Sequence, residues 1–150
     1  MIRAANIDDV KRIHELVNSY AERDKMLPRP LSQLYETLRD FLICEEGGKV
    51  LGCCGLHVVW EDLAEIKSLA VDESRQGQGI GKGLLEAALE EARRLKVKSV
   101  FALTYEPAFF LKFGFKEIAK SKLPHKIWSE CLACPKFPNC DETALVIELK

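Results

Sequence analysis

The stretch Leu63 to Leu95, LAEIKSLAVDESRQGQGIGKGLLEAALEEARRL, reads as a short apolar strand, a glycine-rich turn with two flanking cations, and a long amphipathic helix. Ile80, Leu84, Leu85, Ala88, Leu89, Ala92 and Leu95 recur at helical spacing and define one buried face, with EE and RR on the solvent side. A strand that runs through such a turn into a helix N-terminus is suited to an anion. The free N–H groups of the first helical turn, together with the macrodipole, favour phosphate there. Gly77, Gly79 and Gly81 let backbone amides approach without a Cβ in the way, and Arg75 and Lys82 add charge. Glycine inside a helix costs about 0.8–1.0 kcal/mol relative to alanine, so alternating glycines around a helix start need a reason beyond a simple turn. The stretch is expected to seat the pyrophosphate of a nucleotide-bearing cofactor.

The elements on either side follow from the same periodicities. Met1 to Ala5 is a strand candidate, and Asn6 caps a helix whose apolar face is Ile7, Val10, Ile13, Leu16, Val17 and Tyr20. After the proline-stiffened loop Lys25 to Pro30, a shorter helix is expected over Leu31 to Asp40. Phe41 to Glu46 and Val50 to Trp60 form a hairpin across Gly47-Gly48, and Leu63 to Val71 follows as an antiparallel strand. Beyond the long helix, Ser99 to Thr104 completes a β-α-β unit with parallel pairing. Pro107 starts a short helix carrying Phe109, Phe110 and Phe113, and Phe115 to Ala119 is a strand. Lys120 to Asp141 is a long irregular excursion before a last strand, Thr143 to Leu149. The expected fold is α+β: one domain over residues 1–150, with a mixed, mostly antiparallel twisted sheet of six to seven strands flanked by about four helices.

At 150 residues, 47% hydrophobic and 30% charged, the composition is that of a soluble globular domain. A formal net charge of −1 gives no nucleic-acid footprint, and no apolar run reaches the length of a membrane span. The acids in MIRAANIDDV stand where a signal peptide needs apolar residues, so a cytoplasmic location is expected.

Three nucleotide-binding patterns can be tested against the turn. A dinucleotide fingerprint G-x-G-x-x-G fails, because its last position falls on Lys82 or Leu84. A P-loop fails at both ends, with Gln76 in place of the first glycine and Gly83 in place of the hydroxyl residue. The pattern Q-x-x-G-x-G fits, as Gln76, Gly79 and Gly81. This resembles the pyrophosphate loop of the GNAT acyl-CoA N-acyltransferases. The order of elements is similar to that fold over essentially the whole chain, and AFFLKFGF (Ala108 to Phe115) is similar to a motif of the same family. The resemblance implies acetyl-CoA as co-substrate, held by Gln76, Gly77, Gln78, Gly79, Ile80, Gly81 and Lys82. It also implies that the thiol arm lies along Leu69, Ala70 and Val71 as an added β-partner, with backbone amides there polarising the thioester carbonyl.

Acetylating an amine requires a neutral nitrogen, so a base must take a proton and the leaving thiolate must be met by an acid. LAEIKSLAV resembles the family pattern in which a glutamate at the place of Glu65 is the general base. With a reference pKa of about 4.3, a glutamate suits transfer relayed through water. Glu65, Lys67, Leu69 and Val71 would share a face of a regular strand, a mixture that fits a bulge beside a site or an exposed end. Many relatives have a tyrosine as the acid where this chain has Phe110, so Thr104 and Tyr105 are the substitutes.

Within the family the chain is most similar to short N-acetylglutamate synthases lacking the amino-acid-kinase domain. The blocks that carry this are LPRP, LAEIKSLAV, FALTYEPAFFLKFGF and LPHKIWSECLACPKFPNC. L-Glutamate is a dicarboxylate and calls for fixed cations, for which Arg29 is the first candidate and Lys67 and Lys136 the next. Cys131-x2-Cys134-x5-Cys140, with His125 as a fourth ligand, has partial zinc spacing; reduced, packed cysteines are the favoured reading and no metal is assigned. The sequence leaves a homodimer open. Two further readings stand beside glutamate acetylation: a GNAT enzyme for another small or protein amine, and a non-catalytic acyl-CoA-binding module.

Overall fold

Asn6 organises the N-terminal entry. Its side chain accepts from the Asp8 amide while the Asp9 carboxylate reaches back to the Asn6 amide, a reciprocal cap. The computed structural model describes residues 1–22, 29–122 and 142–149. Its strands are β1 (Ile2–Ala4), β2 (Phe41–Glu46), β3 (Lys49–Trp60), β4 (Leu63–Val71), β5 (Ser99–Thr104), β6 (Lys116–Ile118) and β7 (Thr143–Glu148). Its α-helices are α1 (Val10–Ala21), α2 (Leu31–Glu36), α3 (Ile80–Arg94) and α4 (Pro107–Leu111). The seven strands form one sheet in the order β1-β2-β3-β4-β5-β7-β6. Only β4 and β5 pair in parallel, joined by α3, and every other pairing is antiparallel. This is the expected α+β architecture. No helix among the described residues is long and apolar enough to cross a membrane.

Two expectations shift in detail. The helix predicted over 31–40 breaks at Thr37, and Leu38–Asp40 forms a separate 3-10 turn leading into β2. The Thr37 hydroxyl donates to the Gln33 carbonyl at 2.8 Å, a back-bond that competes with helix continuation. Ile7 and Leu95, read as core positions, lie at helix ends and are exposed. Of the excursion from Lys120, only the 3-10 turn Lys120–Lys122 falls among the described residues.

The sheet separates two apolar layers. On one face, Ile80, Leu84, Leu85, Ala88, Leu89 and Ala92 of α3 pack against Cys54, Leu56, Ala64 and Ile66. On the other, Val10, Ile13, Leu16 and Val17 of α1 and Leu34 of α2 pack against Phe41, Ile43, Cys53 and Ala70. Further along that second face lies a smaller cluster around Phe101 and Ala144.

β4 changes sides part-way along. Ala64 and Ile66 belong to the α3 layer, whereas Ala70 belongs to the α1 layer. Strict alternation would keep all three on one face. The register explains the switch: Cys53 pairs with Ala70 and Gly55 with Lys67, so three steps on β4 face two on β3. The extra residue sits at Ser68, whose φ of 54° lies in the left-handed region. A β-bulge of this kind redirects side chains, and here it does so where β4 parts from β5. Their paired residues run from Leu63–Ser99 to Ile66–Ala102 and stop there.

Candidate active site

Gly79 fixes the mouth of the glycine turn. It is the N-cap of α3, at φ 84° and ψ 5°, with Gly77 at φ 77° before it. No side chain caps the first turn and no acid lies in it, so the amides of Ile80, Gly81 and Lys82 begin the helix without a side-chain acceptor. A Cβ placed on Gly77 or Gly79 would meet nothing within 4 Å, so conformation and open space, not crowding, set the need for glycine. These amides and the helix macrodipole suit a pyrophosphate. Lys82 is exposed at the same turn. Arg75 is committed elsewhere, with Nη2 2.5 Å from Glu46 Oε2 and Nε donating to Gln78 Oε1 at 2.7 Å.

The turn is tied to α1. The Tyr20 hydroxyl donates to the Val71 carbonyl at 2.5 Å, and the Gln76 amide nitrogen donates to that hydroxyl. Arg12 adds a second tie, donating to the Val50 carbonyl at 3.0 Å and pairing with Asp72 at 2.5 Å. The Asp72 carboxyl is held down at about 2 by the Ser74 hydroxyl, the Ser74 amide and the Arg12 guanidinium. Between these ties and the last β5 pairing, Leu69, Ala70 and Val71 present a backbone edge with no β5 residue paired to it. That edge and the turn fit an extended chain ending in a pyrophosphate.

On the second face, Glu65 is buried and Lys67 Nζ lies 3.7 Å from its carboxylate. Arg29, at the entry to α2, reaches the same region. Its Nη1 is 3.4 Å from Ser68 Oγ, its Nη2 is 3.4 Å from Thr37 Oγ1, and its Nε donates to Gln33 Oε1 at 2.9 Å. The guanidinium carbon lies 5.9 Å from the centroid of the Phe41 ring. Gly55 makes that arrangement feasible: a Cβ there would come within 3.3 Å of the Phe41 ring and 3.1 Å of the Lys67 carbonyl. Glu65 and Lys67 are neighbours on one face of β4, and Arg29, distant in sequence, reaches Ser68, the next residue of that strand.

The acid candidates lie at the end of β5. Thr104 Oγ1 accepts from the Glu106 amide at 2.9 Å, and the hydroxyl oxygen of Tyr105 is buried. Phe110 is a core residue, edge-on to both Phe109 and Phe115. Lys136, Cys131, Cys134, Cys140 and His125 lie outside the described residues. Among the described residues there is no group of three metal-binding side chains.

Three further residues of this region carry little signal in the sequence. Tyr20 stands at an apolar helix position, yet its hydroxyl links β4 to the turn. Ser68 gave no signal beyond the broken alternation of its strand. His57 lies in an apolar run, yet its Nδ1 is 2.7 Å from Asp40 Oδ2 and its strand partner is Glu65.

Comparisons with known proteins agree with this geometry. Residues 7–115 match the model of the acetyltransferase (GNAT) family. The chain is 40% identical over 145 residues to an uncharacterized N-acetyltransferase of Chlorobaculum tepidum, spanning 97% of this chain and 94% of that protein. It is 39% identical over 133 residues to an amino-acid acetyltransferase of Mycobacterium tuberculosis, spanning 87% and 76%. Among solved structures, a Mycobacterium tuberculosis protein in complex with CoA and NLQ superposes with a TM-score of 0.87 at 33% identity, over 100% of this chain and 99% of that one. N-acetylglutamate synthase of Neisseria gonorrhoeae, complexed with coenzyme A and N-acetyl-glutamate, gives a TM-score of 0.92 at 27% identity. This chain is covered in full there, against 35% of the Neisseria chain. The family match and these relatives show that the chain belongs to the GNAT family of N-acetyltransferases.

Proposed function

We propose that this protein acetylates the α-amino group of L-glutamate by direct transfer from acetyl-CoA, the N-acetylglutamate synthase reaction that opens arginine biosynthesis. The observation that carries the reading is that Lys67 Nζ lies 3.7 Å from buried Glu65 while Arg29 Nη1 lies 3.4 Å from Ser68 Oγ, on the next residue of β4. An acidic amino acid brings two carboxylates and one ammonium, and this site offers guanidinium, ammonium and carboxylate in return. A polyamine or a lysine side chain would call for an acidic acceptor groove instead. The amino-acid acetyltransferases among the relatives, and the N-acetyl-glutamate complex of the Neisseria enzyme, support the same acceptor.

The mechanism follows from the residues. Acetyl-CoA supplies an acyl group activated as a thioester. The amides of the glycine turn and of Ile80, Gly81 and Lys82 hold its pyrophosphate, and the edge Leu69-Ala70-Val71 aligns the thiol arm. Backbone N–H groups on that edge face the thioester carbonyl, where negative charge develops. Arg29 and Lys67 orient the acceptor carboxylates. Glu65 takes a proton from the acceptor ammonium, directly or through one water, and exposes the nitrogen lone pair. Thr104 and Tyr105 stand at the end of β5 as the two candidates to protonate the leaving thiolate.

The test is CoA release from acetyl-CoA with a panel of amines. Glutamate turnover is expected. Consumption of another amine without glutamate turnover would overturn the acceptor, and CoA binding with no turnover of any amine would favour a non-catalytic module. With the active amine, Glu65→Gln is expected to lower kcat by roughly 10²–10⁴-fold while acetyl-CoA affinity stays unchanged. A near-wild-type rate would remove Glu65 from the role of base.

A further inference from the structure

Acetylation of an ammonium leaves a proton to dispose of. The R–NH3⁺ acceptor has three N–H bonds and the amide product has one. As the C–N bond forms and the C–S bond breaks, one proton ends on the CoA sulfur and one must reach solvent in every turnover. Glu65, in its reading as the base, collects that second proton, yet its side chain is only 8% exposed. Lys67, 3.7 Å away, is an ammonium and has no lone pair to receive it.

Across the strand stands His57. It is the register partner of Glu65 in the antiparallel β3–β4 pair, so both side chains leave the sheet on the same face. Opposed residues in such pairs have Cβ atoms about 4.5–5.5 Å apart, a gap that the side chains close directly or with one bridging water. The His57 side chain is 36% exposed, which connects it to bulk water. Its Nδ1 lies 2.7 Å from Asp40 Oδ2, on the 3-10 turn before β2. An ionised carboxylate only accepts, so opposite one the neutral ring carries its hydrogen on Nδ1 and has Nε2 as the basic nitrogen. Charged groups on this face include Asp40 from the 3-10 turn and, from β4, Glu65 with Lys67 beyond it.

We infer that His57, oriented by Asp40, is the proton outlet of the active site: it takes at Nε2 the proton that Glu65 collects and passes it to bulk water. The inference rests on the reading of Glu65 as the base. His57 acts through Glu65 and not on the substrate, which makes it a positioning residue for proton transfer. The His57–Asp40 pair explains why a half-exposed imidazole on an outer stretch of β3 is fixed by a carboxylate instead of rotating freely. It also gives the 3-10 turn created by the helix break at Thr37 a role, since that turn carries Asp40.

The experiment uses the whole chain, acetyl-CoA and the amine found active, in dilute buffer with and without imidazole. His57→Ala and His57→Gln are expected to lower kcat on the order of 10–100-fold, with the KM for acetyl-CoA unchanged. Added imidazole is expected to restore the His57→Ala rate in a saturable way, which a purely structural loss would not show. Asp40→Asn is expected to give a smaller loss. Melting curves establish that each variant is folded. Two His57 variants within twofold of wild type would overturn the outlet, as would a loss that imidazole leaves untouched. If Glu65→Gln is inactive while His57→Ala is normal, the outlet fails alone and the base stands. If Glu65→Gln is fully active, the base reading fails and the outlet falls with it.

Discussion

Arg29 Nε is held by Gln33, and the guanidinium lies towards the Phe41 ring, so its two terminal nitrogens are directed at Ser68 and Thr37. A lysine keeps the charge there but has neither the planar fork nor the ring-facing surface. Arg29→Lys is therefore expected to raise the KM for the amino-acid acceptor by roughly 10-fold, equivalent to about 1.4 kcal/mol, with kcat little changed. Steady-state kinetics with the acceptor varied at saturating acetyl-CoA checks this. An unchanged acceptor KM would remove Arg29 from the acceptor site. The candidates differed in how visible they were in the sequence. Arg29 stood out because a dicarboxylate needs cations and the prolines mark its loop. His57 did not, because nothing in GLHVVW says that a strand register will set an imidazole opposite Glu65.

At the scale of elements, β4 is stapled at its far end by Asp72. The carboxylate accepts from the Ser74 amide and hydroxyl and pairs with Arg12 on α1, which ties the strand end, the following 3-10 turn and α1 together. The Asp72 carboxyl lies at about 2, below its ordinary 3.8, so it binds a proton less readily in the folded chain than in the unfolded one. Its stabilising contribution is complete above about pH 4 and is lost as pH falls towards 2. Asp72→Asn is expected to cost on the order of 1 kcal/mol at neutral pH, after allowance for the partial exposure of the pair. The gap to wild type should close between pH 4 and pH 2, as read from denaturant unfolding at a series of pH values. A gap independent of pH would show that Asp72 stabilises the turn without its charge. The bulge belongs to this scale as well. A non-glycine residue at positive φ costs roughly 1–2 kcal/mol, yet Ser68 is held there, with the Cys53 thiol donating to its carbonyl at 3.3 Å. The burial of Cys53 pushes its thiol up to about 12, so it stays protonated and serves as a hydrogen-bond donor, not a nucleophile.

For the molecule as a whole, the decisive feature is that a continuous seven-stranded sheet opens between β4 and β5 after Ile66–Ala102. α3 bridges the opening on one face, and α1 with α2 cover the β2–β4 part of the other. In the proposed reading, the helix N-terminus and the strand edge that β5 leaves unpaired frame the donor cleft. If the proposed donor binds the folded chain, CoA at 100 times its dissociation constant should stabilise it by about 2.7 kcal/mol, a rise in Tm of roughly 5–10 °C. Differential scanning fluorimetry measures that shift. Hydrogen exchange should show new protection at the amides of residues 69–71 and 80–82. Protection elsewhere, with these amides unaffected, would place the ligand outside the cleft.

The local elements were legible in the sequence because each is dictated by short-range rules. The apolar faces of α1 and α3, the Gly47-Gly48 hairpin, the Asn6 cap and the anion-binding turn all depend on residues within a few positions of one another. So did the donor, since Gln76, Gly79 and Gly81 lie on one continuous stretch. Where the sequence fell short, the missing quantity was a hydrogen-bond choice inside a helix in one case and a relation between elements in the others. The side switch of β4 arises from register against β3, and the helix break at Thr37 from one hydroxyl choosing the Gln33 carbonyl. The stand of His57 opposite Glu65 depends on pairing across the sheet, and the reach of Arg29 to Ser68 on the packing of α2 against it. The glycine turn and its helix were determined by the sequence of that stretch, whereas the face that the end of β4 presents was decided by the tertiary structure, because a one-residue bulge at Ser68 turns Ala70 to the side opposite Ala64 and Ile66.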